Sequence, residues 1–368
     1  MMKKISMFIV ITLFFSCSMS KVQEKTGSNF YVGTYTNGES EGIYKYQLNA
    51  AGKLKQIGLV AKTDNPSYLA KTKDNKTLLA VDETNENGTG YVNSFRIEKD
   101  SLVFVSKSKS GGAHPCFISI NDKNQVLVAN YSGGNVGFLE IDDQNGLTNL
   151  LAIQQHVGNE INPKQQTPHA HFSKFHPTKN EIISVDLGTN QLWFSTFDTQ
   201  KKELAFTNQK TLDFNVGAGP RHFTFHPNNK WMYVVNELNS TVSLVKEKEN
   251  LYTVDQTIAM LPKDFKRYSN AADIHISKDG QFVYASNRGH ESIVIYKVNP
   301  ENGTLSLVGF QNVKGKHPRN FSLSPDDNFL IAANKDSNNI VSFKRDSKTG
   351  KLSFVDEVFA PNPVCVLF

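Results

Sequence analysis

The sequence predicts an all-β fold, a seven-bladed β-propeller, from three observations. A short phrase, PRHFTFHP at residues 220–227, recurs in related forms every 45 to 55 residues. Each copy is followed by apolar runs separated by turn residues, which is the pattern of antiparallel strands. No amphipathic helix interrupts this pattern after the N-terminal segment. Four strands in a repeat of this length form a propeller blade.

The copies of the phrase set the order of the blades, which we number from the first copy. They begin at Pro66, Pro115, Ala170, Pro220, Ala271, Pro318 and Pro363. The last copy leaves room for a single strand before the chain ends. We expect the runs at residues 30–35, 42–48 and 54–61 to complete that blade, because closure removes open sheet edges. Residues 29–368 are therefore predicted to form one domain.

Composition excludes several classes of protein. The 368 residues are 20% charged and 39% hydrophobic, with a net charge of +5. This excludes a disordered chain, a collagen-like fibre and a coiled coil. Three cysteines exclude a disulfide scaffold, and the absence of a long Lys/Arg run argues against a nucleic-acid partner. Cys116 and Cys365 are expected to be buried free thiols, bonded only if their strands are neighbours.

The N-terminal residues form a targeting signal. An 11-residue, mostly apolar stretch at residues 5–15 follows two lysines and is too short to span a bilayer. Cys17 follows it, as in a bacterial lipoprotein signal. We predict a signal peptide over 1–16, a tether over 17–28, and export to the periplasm or cell surface with a lipid on Cys17 as the membrane contact. An ordinary signal peptide or a short membrane anchor is the alternative.

Residues that differ between equivalent positions of the repeat are the functional candidates. The first strand of each blade matters most, because it lines the central channel. The residues that follow each phrase start are Ser67, Cys116, His171, Arg221, Ala272, Arg319 and Val364. The residues that follow the Asp or Asn ending a second strand are Glu83, Tyr131, Leu187, Glu237, Arg288 and Lys335. The functional candidates all lie in blades three to six: His171, Arg221, Glu237, Arg288, Arg319 and Lys335. The alternative is that these groups solvate the channel and form a structural salt bridge.

Further histidines and two long connections add to this set. His169 and His171 share a strand face and would supply two ligands of a zinc site. No third ligand is evident in the sequence, so we expect no metal or other cofactor. We assign a group of residues to substrate binding: His169, His222, His275, Arg319 and Lys335. The connections at 154–167 and 252–270 are candidate lids.

Six stretches, in one order, resemble the lactonase family of seven-bladed propellers, which includes the propeller-type bacterial 6-phosphogluconolactonases. They are NYSGG at 130–134, PHAH at 168–171, GPRH at 219–222, VNELNST at 235–241, AADIH at 271–275 and SNRG at 286–289. The resemblance implies catalytic roles for four residues, which fall on His171, Arg221, Glu237 and Arg288. Family members often carry an Arg where this chain has Gln165 and a His near Phe117, and these departures leave the identity of the lactone open.

Lactone opening requires water to attack an ester carbonyl, which places negative charge on its oxygen. We expect Glu237 to act as the general base and His171 as proton donor or second base, although the two roles are exchangeable. Arg221 and Arg288 would bind the oxyanion and an anionic group of the substrate. The chain has no Gly-x-Ser-x-Gly motif, so a serine nucleophile is not expected. The expected protein is a monomeric, metal-independent hydrolase of a small, anionic sugar or sugar-phosphate lactone.

Two other functions stay open on the sequence. A muconate-type cycloisomerase, which forms a lactone from an unsaturated diacid, would use the same residues to move a proton to carbon. A non-enzymatic binding propeller would use the cationic channel mouth to hold an acidic glycan or protein.

Overall fold

A computed structural model of the protein describes residues 27–368. The predicted signal peptide at 1–16 and the lipidation site Cys17 lie outside the described residues. Within the described part, no helix combines the length and the apolar character needed to cross a membrane. The described residues therefore include the whole of the domain predicted over 29–368.

The described residues form seven four-stranded antiparallel sheets, which confirms the seven-bladed β-propeller. In chain order the strands are β1 Ser28–Thr34, β2 Gly42–Leu48, β3 Leu54–Lys62, β4 Leu69–Lys71, β5 Thr77–Glu86, β6 Thr89–Ile97, β7 Leu102–Lys109, β8 Pro115–Ile120, β9 Gln125–Asn130, β10 Asn135–Glu140, β11 Ala152–Gln155, β12 Ala170–Phe175, β13 Ile182–Asp186, β14 Gln191–Asp198, β15 Glu203–Asp213, β16 Pro220–Phe225, β17 Trp231–Asn236, β18 Thr241–Lys248, β19 Leu251–Ala259, β20 Asn270–Ile276, β21 Phe282–Arg288, β22 Ser292–Val298, β23 Leu305–Asn312, β24 Pro318–Leu323, β25 Phe329–Asn334, β26 Asn339–Arg345, β27 Leu352–Phe359 and β28 Pro363–Leu367. Blade one consists of β4 to β7, each of blades two to six takes the next four strands, and blade seven consists of β28 with β1 to β3. Helical structure in residues 27–368 is limited to two short 3₁₀ turns, Pro163–Gln165 and Lys335–Ser337.

Blade seven is built from both ends of the chain. Its inner strand is β28, which pairs antiparallel with β1 and places Val366 opposite Val32. Strands β2 and β3 complete the sheet, close to the limits expected from the sequence. The closure is tight, because a Cβ added at Gly33 would lie 2.3 Å from the carbonyl oxygen of Pro66 in the segment leading to blade one.

The apolar core lies in layers between neighbouring blades. Leu79 of blade one and Val128 of blade two pack in one such layer, and Phe30 of blade seven and Ile331 of blade six pack in another. Strand residues alternate between the two faces of a sheet, so a sheet packed on both faces needs apolar residues in successive positions. This requirement explains the continuous apolar runs in the middle strands. Cys116 and Cys365 are buried free thiols, as predicted.

The predicted connection over 252–270 is wrong in its length. Residues 251–259 form β19, the outer strand of blade four, which pairs with β18. An outer strand is exposed along one edge, so its polar residues resemble those of a loop in the sequence. The true connection covers residues 260–269. The first long connection is likewise shortened, because Gln154 and Gln155 belong to β11.

Candidate active site

The inner strands share a β-bulge that positions the candidate side chains. The pairing of inner and second strands shifts register around the residue that follows the phrase start in blades three, four and six. The residues at these shifts are His171, Arg221 and Arg319. A bulge turns a side chain out of the regular alternation, which is why bulges are frequent next to active sites.

The bulge residues converge on one small cavity in the channel. Its lining consists of Ser67, Tyr68, Cys116, His171, Arg221, His222, Arg319, Asn320 and Val364. Every residue predicted to follow a phrase start lines this cavity except Ala272. The repeat therefore locates the cavity, and the side chains that differ between blades give it its chemistry.

One carboxylate, that of Glu237, holds two guanidinium groups, of which Arg221 lines the cavity, whereas Glu237 and Arg288 lie outside its lining. Its Oε2 atom lies 2.8 Å from Nε of Arg221 and 2.9 Å from Nη2 of Arg288. Its Oε1 atom accepts a hydrogen bond of 3.2 Å from the side chain of Asn270. Arg221 and Arg288 also donate to the backbone oxygens of blade five, at Ala272 and Ala271, with distances of 2.6 and 2.5 Å.

The pKa of Glu237 is set by this arrangement. Burial raises the pKa of the carboxyl, but the positive charges of Arg288 and Arg221 outweigh burial and lower it to about 2. Burial and the neighbouring positive charges lower the pKa of Arg221 to about 10, which still leaves it protonated at neutral pH. The three groups are thus two cations and one anion, and the anion is a weak base.

His171 lies next to this cluster in blade three. Its Nδ1 atom is 3.7 Å from Sγ of Cys116, and its ring contacts the ring of Tyr131 edge-on, with 5.5 Å between centroids. Burial, and then the charge of Arg221, lower the pKa of His171 well below its ordinary value of 6.5. The imidazole is therefore neutral at pH 7, and the same causes make it a weaker base than an exposed histidine.

Arg319 differs from the other two arginines of the site. Its guanidinium lies over the ring of Tyr35, 5.4 Å from the centroid, and the hydroxyl of Tyr35 donates to Glu83 at 2.9 Å. Among residues 27–368, no carboxylate comes within 4.0 Å of the Arg319 guanidinium. Arg319 therefore brings a positive charge to the cavity that no direct ion pair neutralises.

The residues one position further along each inner strand form a second layer. In blades one to three they are aromatic, and the rings of Tyr68, Phe117 and Phe172 pack in a row with centroid separations of 4.3 and 3.9 Å. In blades four to six they are polar, namely His222, Asp273 and Asn320, and they are buried. Phe117, where family members carry a nearby His, belongs to the aromatic half.

The remaining predicted binding residues are distributed unevenly. His222 lines the cavity, and His169 stacks on Tyr131 with 4.4 Å between ring centroids. His275 does not line the cavity, because its Nε2 atom pairs with Asp273 at 3.0 Å. Lys335 is also absent from the lining, and its ammonium group donates to Asp336 at 2.8 Å.

The site also contains residues that the sequence analysis did not select. Tyr35 supports Arg319, and Tyr131 contacts both histidines of blade three. Tyr131 follows the Asn that ends a second strand but is not charged, and Asp273 lies two positions after its phrase start, where the sequence analysis selects only His222 of blade four. Gln165 is buried and donates to the backbone oxygen of Leu187 at 2.7 Å, so it anchors the preceding connection.

His169 and His171, which would supply two ligands of a zinc site, have no third ligand near them in the described structure. Within the described chain, no three His, Cys, Asp or Glu side chains meet in a way that could hold a metal ion. Nδ1 of His169 instead lies 3.0 Å from the backbone oxygen of Tyr131. No residue is therefore assigned as a metal ligand.

Comparison with known proteins shows a match along the whole propeller. The family model described as Lactonase, 7-bladed beta-propeller, covers residues 29–368. The chain is 37% identical over 297 residues to the 6-phosphogluconolactonase of Bacillus subtilis, which is 79% of this chain and 83% of the relative. It is 32% identical over 308 residues to that of Formosa agariphila, with 80% and 85% covered. The structure of the periplasmic gluconolactonase of Pseudomonas aeruginosa matches with a TM-score of 0.87 at 29% identity, covering 92% of this chain and 98% of that one.

Replacing Glu237 by Gln is expected to destabilise the protein by about 3–5 kcal/mol at pH 7, because two buried cations lose their partner. The pKa of Glu237 in the folded protein, about 2, lies below its ordinary value of 4.5. Its contribution to stability is therefore complete above pH 4.5 and is lost as the pH falls towards 2. Urea unfolding of the two proteins between pH 7 and pH 3 measures the difference, which should shrink with falling pH.

The matched control is Glu98→Gln, which removes an exposed carboxylate paired with Arg96. We expect a change within about 0.5 kcal/mol at every pH for this variant. A difference for Glu237→Gln that stays constant from pH 7 to pH 3 would contradict the electrostatic role of this carboxylate.

Proposed function

The chain belongs to the lactonase family of seven-bladed β-propellers and is a lactonase, and we propose that it hydrolyses an anionic sugar lactone in the channel cavity. The observation that carries this proposal is the excess of guanidinium groups over directly paired carboxylates there. Arg221 and Arg288 share the single carboxylate of Glu237, and Arg319 has no direct carboxylate partner. An anionic group on the substrate, a phosphate or a carboxylate, would offset that excess.

The names of the relatives suggest two lactones that differ by one phosphate group. One is the 6-phosphogluconolactone implied for the Bacillus subtilis protein, and the other is the neutral gluconolactone implied for the Pseudomonas aeruginosa protein. The unpaired charge of Arg319 favours the phosphorylated lactone, or a lactone that carries a carboxylate in its place. The charge of the lactone, and not the identity of its sugar, therefore decides between the candidate substrates.

His171 is the proposed general base. The pKa values of both candidates are lowered, but His171 lines the cavity as a neutral imidazole, whereas Glu237 lies outside the lining and is held by two guanidinium groups. His171 takes a proton from water as the water oxygen bonds to the lactone carbonyl carbon. The ring C–O bond then breaks, and the same proton passes to the departing ring oxygen. The product is the open hydroxy acid.

Arg221 and Arg288 have electrostatic roles in this reaction. A guanidinium held at the cavity stabilises the negative charge that develops on the carbonyl oxygen. The carboxylate of Glu237 fixes both groups before the substrate binds, so little reorganisation is needed during the reaction. In this assignment Glu237 is the anchor of the two cations instead of the base that the sequence analysis favoured.

The cellular location follows from the N-terminal sequence. We assign the protein to an exported, membrane-attached form that carries a lipid on Cys17, and the periplasmic location named for the Pseudomonas aeruginosa relative supports export. A lipid on one cysteine and a short tether would leave the propeller in the aqueous phase beside the membrane.

Replacing His171 by Gln is expected to lower kcat for 6-phosphogluconolactone by about 10²- to 10⁴-fold, because the base is lost. KM should change little. In the unmodified enzyme, protonation of the imidazole removes the base, so activity should be constant above pH 6.5 and fall only at lower pH, where His171 titrates. Initial rates corrected for spontaneous hydrolysis measure both effects.

His176→Gln, which changes a histidine of the same blade outside the cavity lining, is the matched control. If the His171→Gln variant keeps its activity and the Glu237→Gln variant loses it, Glu237 is the general base.

Replacing Arg319 by Met is expected to raise KM for 6-phosphogluconolactone by about 10- to 100-fold, the cost of one charge-assisted hydrogen bond. KM for neutral gluconolactone should stay within about threefold, since the methionine keeps the apolar contact with Tyr35. Arg96→Met, on the exposed surface, is the control and should change neither value. Equal losses on both lactones would contradict recognition of an anionic group by Arg319.

Replacing Cys17 by Ser is expected to release the protein from the membrane fraction. The serine hydroxyl does not form the thioether that carries the lipid, so incorporation of labelled palmitate should fall to background. Cys365→Ser changes a buried thiol of the propeller and should leave labelling intact. Palmitate labelling of the Cys17 variant at the original level would exclude Cys17 as the anchor.

A further inference from the structure

A chain of buried polar groups leads from the active site through four blades. Nη1 of Arg221 lies 3.2 Å from Nε2 of His222, whose Nδ1 atom lies 2.8 Å from Oδ1 of Asp273. The side chain of Asn320 donates to Oδ2 of Asp273 at 2.6 Å and accepts from the backbone N–H of Val366 at 2.7 Å. The chain thus joins the second layers of blades four, five and six to the closing strand.

Asp273 is the centre of this chain. It is 2% exposed, and besides the side chains of His222 and Asn320 it accepts from His275 at 3.0 Å. The backbone N–H groups of Ile274 and Phe321 also donate to it, at 3.0 and 3.3 Å. Burial raises the pKa of this carboxyl, but the two histidines outweigh burial and lower it, so Asp273 is ionised. A buried carboxylate with this many donors is rigid.

The ionised Asp273 fixes the hydrogen-bonding state of His222. A carboxylate only accepts, so Nδ1 of His222 must carry a proton to bond with it. Burial and the charge of Arg221 lower the pKa of His222 to about 4, so the imidazole is neutral and its Nε2 atom carries a lone pair. The only donor in contact with that lone pair, among the described residues, is Nη1 of Arg221.

Arg221 is therefore held from three sides. His222 accepts from Nη1, the backbone oxygen of Ala272 accepts from the same nitrogen, and Glu237 lies 2.8 Å from Nε. The aromatic half of the second layer packs on the other side of His222, with the ring of Phe172 5.0 Å away between centroids. His171 also lies on that side, edge-on to His222 with 5.1 Å between ring centroids, but in the described part of the chain only Arg221 lies within hydrogen-bonding distance of Nε2 of His222.

We propose that Asp273 and His222 are positioning residues for lactone hydrolysis, which orient the guanidinium of Arg221 towards the carbonyl oxygen of the substrate. The proposal rests on the proposed function, in which Arg221 stabilises the developing negative charge. Asp273 and His222 act through Arg221, and Asn320 braces Asp273 from blade six.

The test is a double-mutant cycle with Arg221→Met, Asp273→Asn and the combined variant, assayed on 6-phosphogluconolactone. Asp273→Asn is expected to lower kcat by about 10- to 100-fold with KM changed less, because misplacing a group that acts in the transition state has effects of this order. The combined variant should be no more than about twofold slower than Arg221→Met, since the effect of Asp273 passes through Arg221. Losses that multiply in the combined variant, or an unchanged kcat for Asp273→Asn, would overturn the proposal.

Asp327→Asn is the matched control. This substitution also removes a buried carboxylate, one that lies 2.9 Å from Nη2 of Arg345 at the turn between β24 and β25, away from the site. It should lower stability and leave kcat unchanged, so a loss of kcat in both aspartate variants would indicate general destabilisation and overturn the positioning role. If Arg221→Met itself keeps full activity, the proposed function fails at that step, which is a distinct result.

A second measurement needs no substitution and so does not depend on a variant that folds. In protein labelled with ¹⁵N-histidine, the resonances of His222 should show a protonated Nδ1 and an unprotonated Nε2 at pH 7. A protonated Nε2 at that pH would leave no acceptor for Arg221 and would overturn the proposal.

Discussion

The inner channel depends on the requirement that buried charges be paired. Removing one partner of a buried ion pair costs several kcal/mol, because the other charge is left without water or counter-charge. Two carboxylates, Glu237 and Asp273, meet this requirement for Arg221 and Arg288, whereas Arg319 has no direct carboxylate partner among the described residues. Arg221 is bound to the first directly and to the second through His222. Arg221 and Arg288 are therefore stabilised together, and the orientation of Arg221 depends on the network as a whole.

The repeat supplies the positions at which this network is built. The residue after each phrase start, except Ala272, lines the cavity, in several blades at a bulge, and the next residue lies beneath it. In the first three blades these deeper residues are Tyr68, Phe117 and Phe172, and in the next three they are polar. One half of the channel is thus an apolar wall and the other half holds charge. Blades that share one backbone pattern acquire different chemistry through single residues.

The sequence predicts the propeller and the grouping of His171, Arg221, Glu237 and Arg288, since the period of the repeat fixes which residues reach the channel. The repeat does not reveal contacts between side chains of different blades. The bonds from His222 and Asn320 to Asp273 cross blade boundaries, so the sequence does not show them. Nor does the sequence show that Arg319 has no direct carboxylate partner among the described residues. His275 pairs with Asp273, so its place near a family motif does not bring it to the cavity. Outer strands such as β19 are misread as loops because their exposed edges tolerate polar residues.

The closing blade links the ends of the chain, since Val32 pairs with Val366. A contact of such long sequence separation forms slowly, because the intervening chain must be ordered first. During synthesis the N-terminal strands β1 to β3 have no inner strand to complete their sheet until the last residues leave the ribosome. Blade seven, and with it the closed ring, can therefore form only after the strand Pro363–Leu367 has been synthesised.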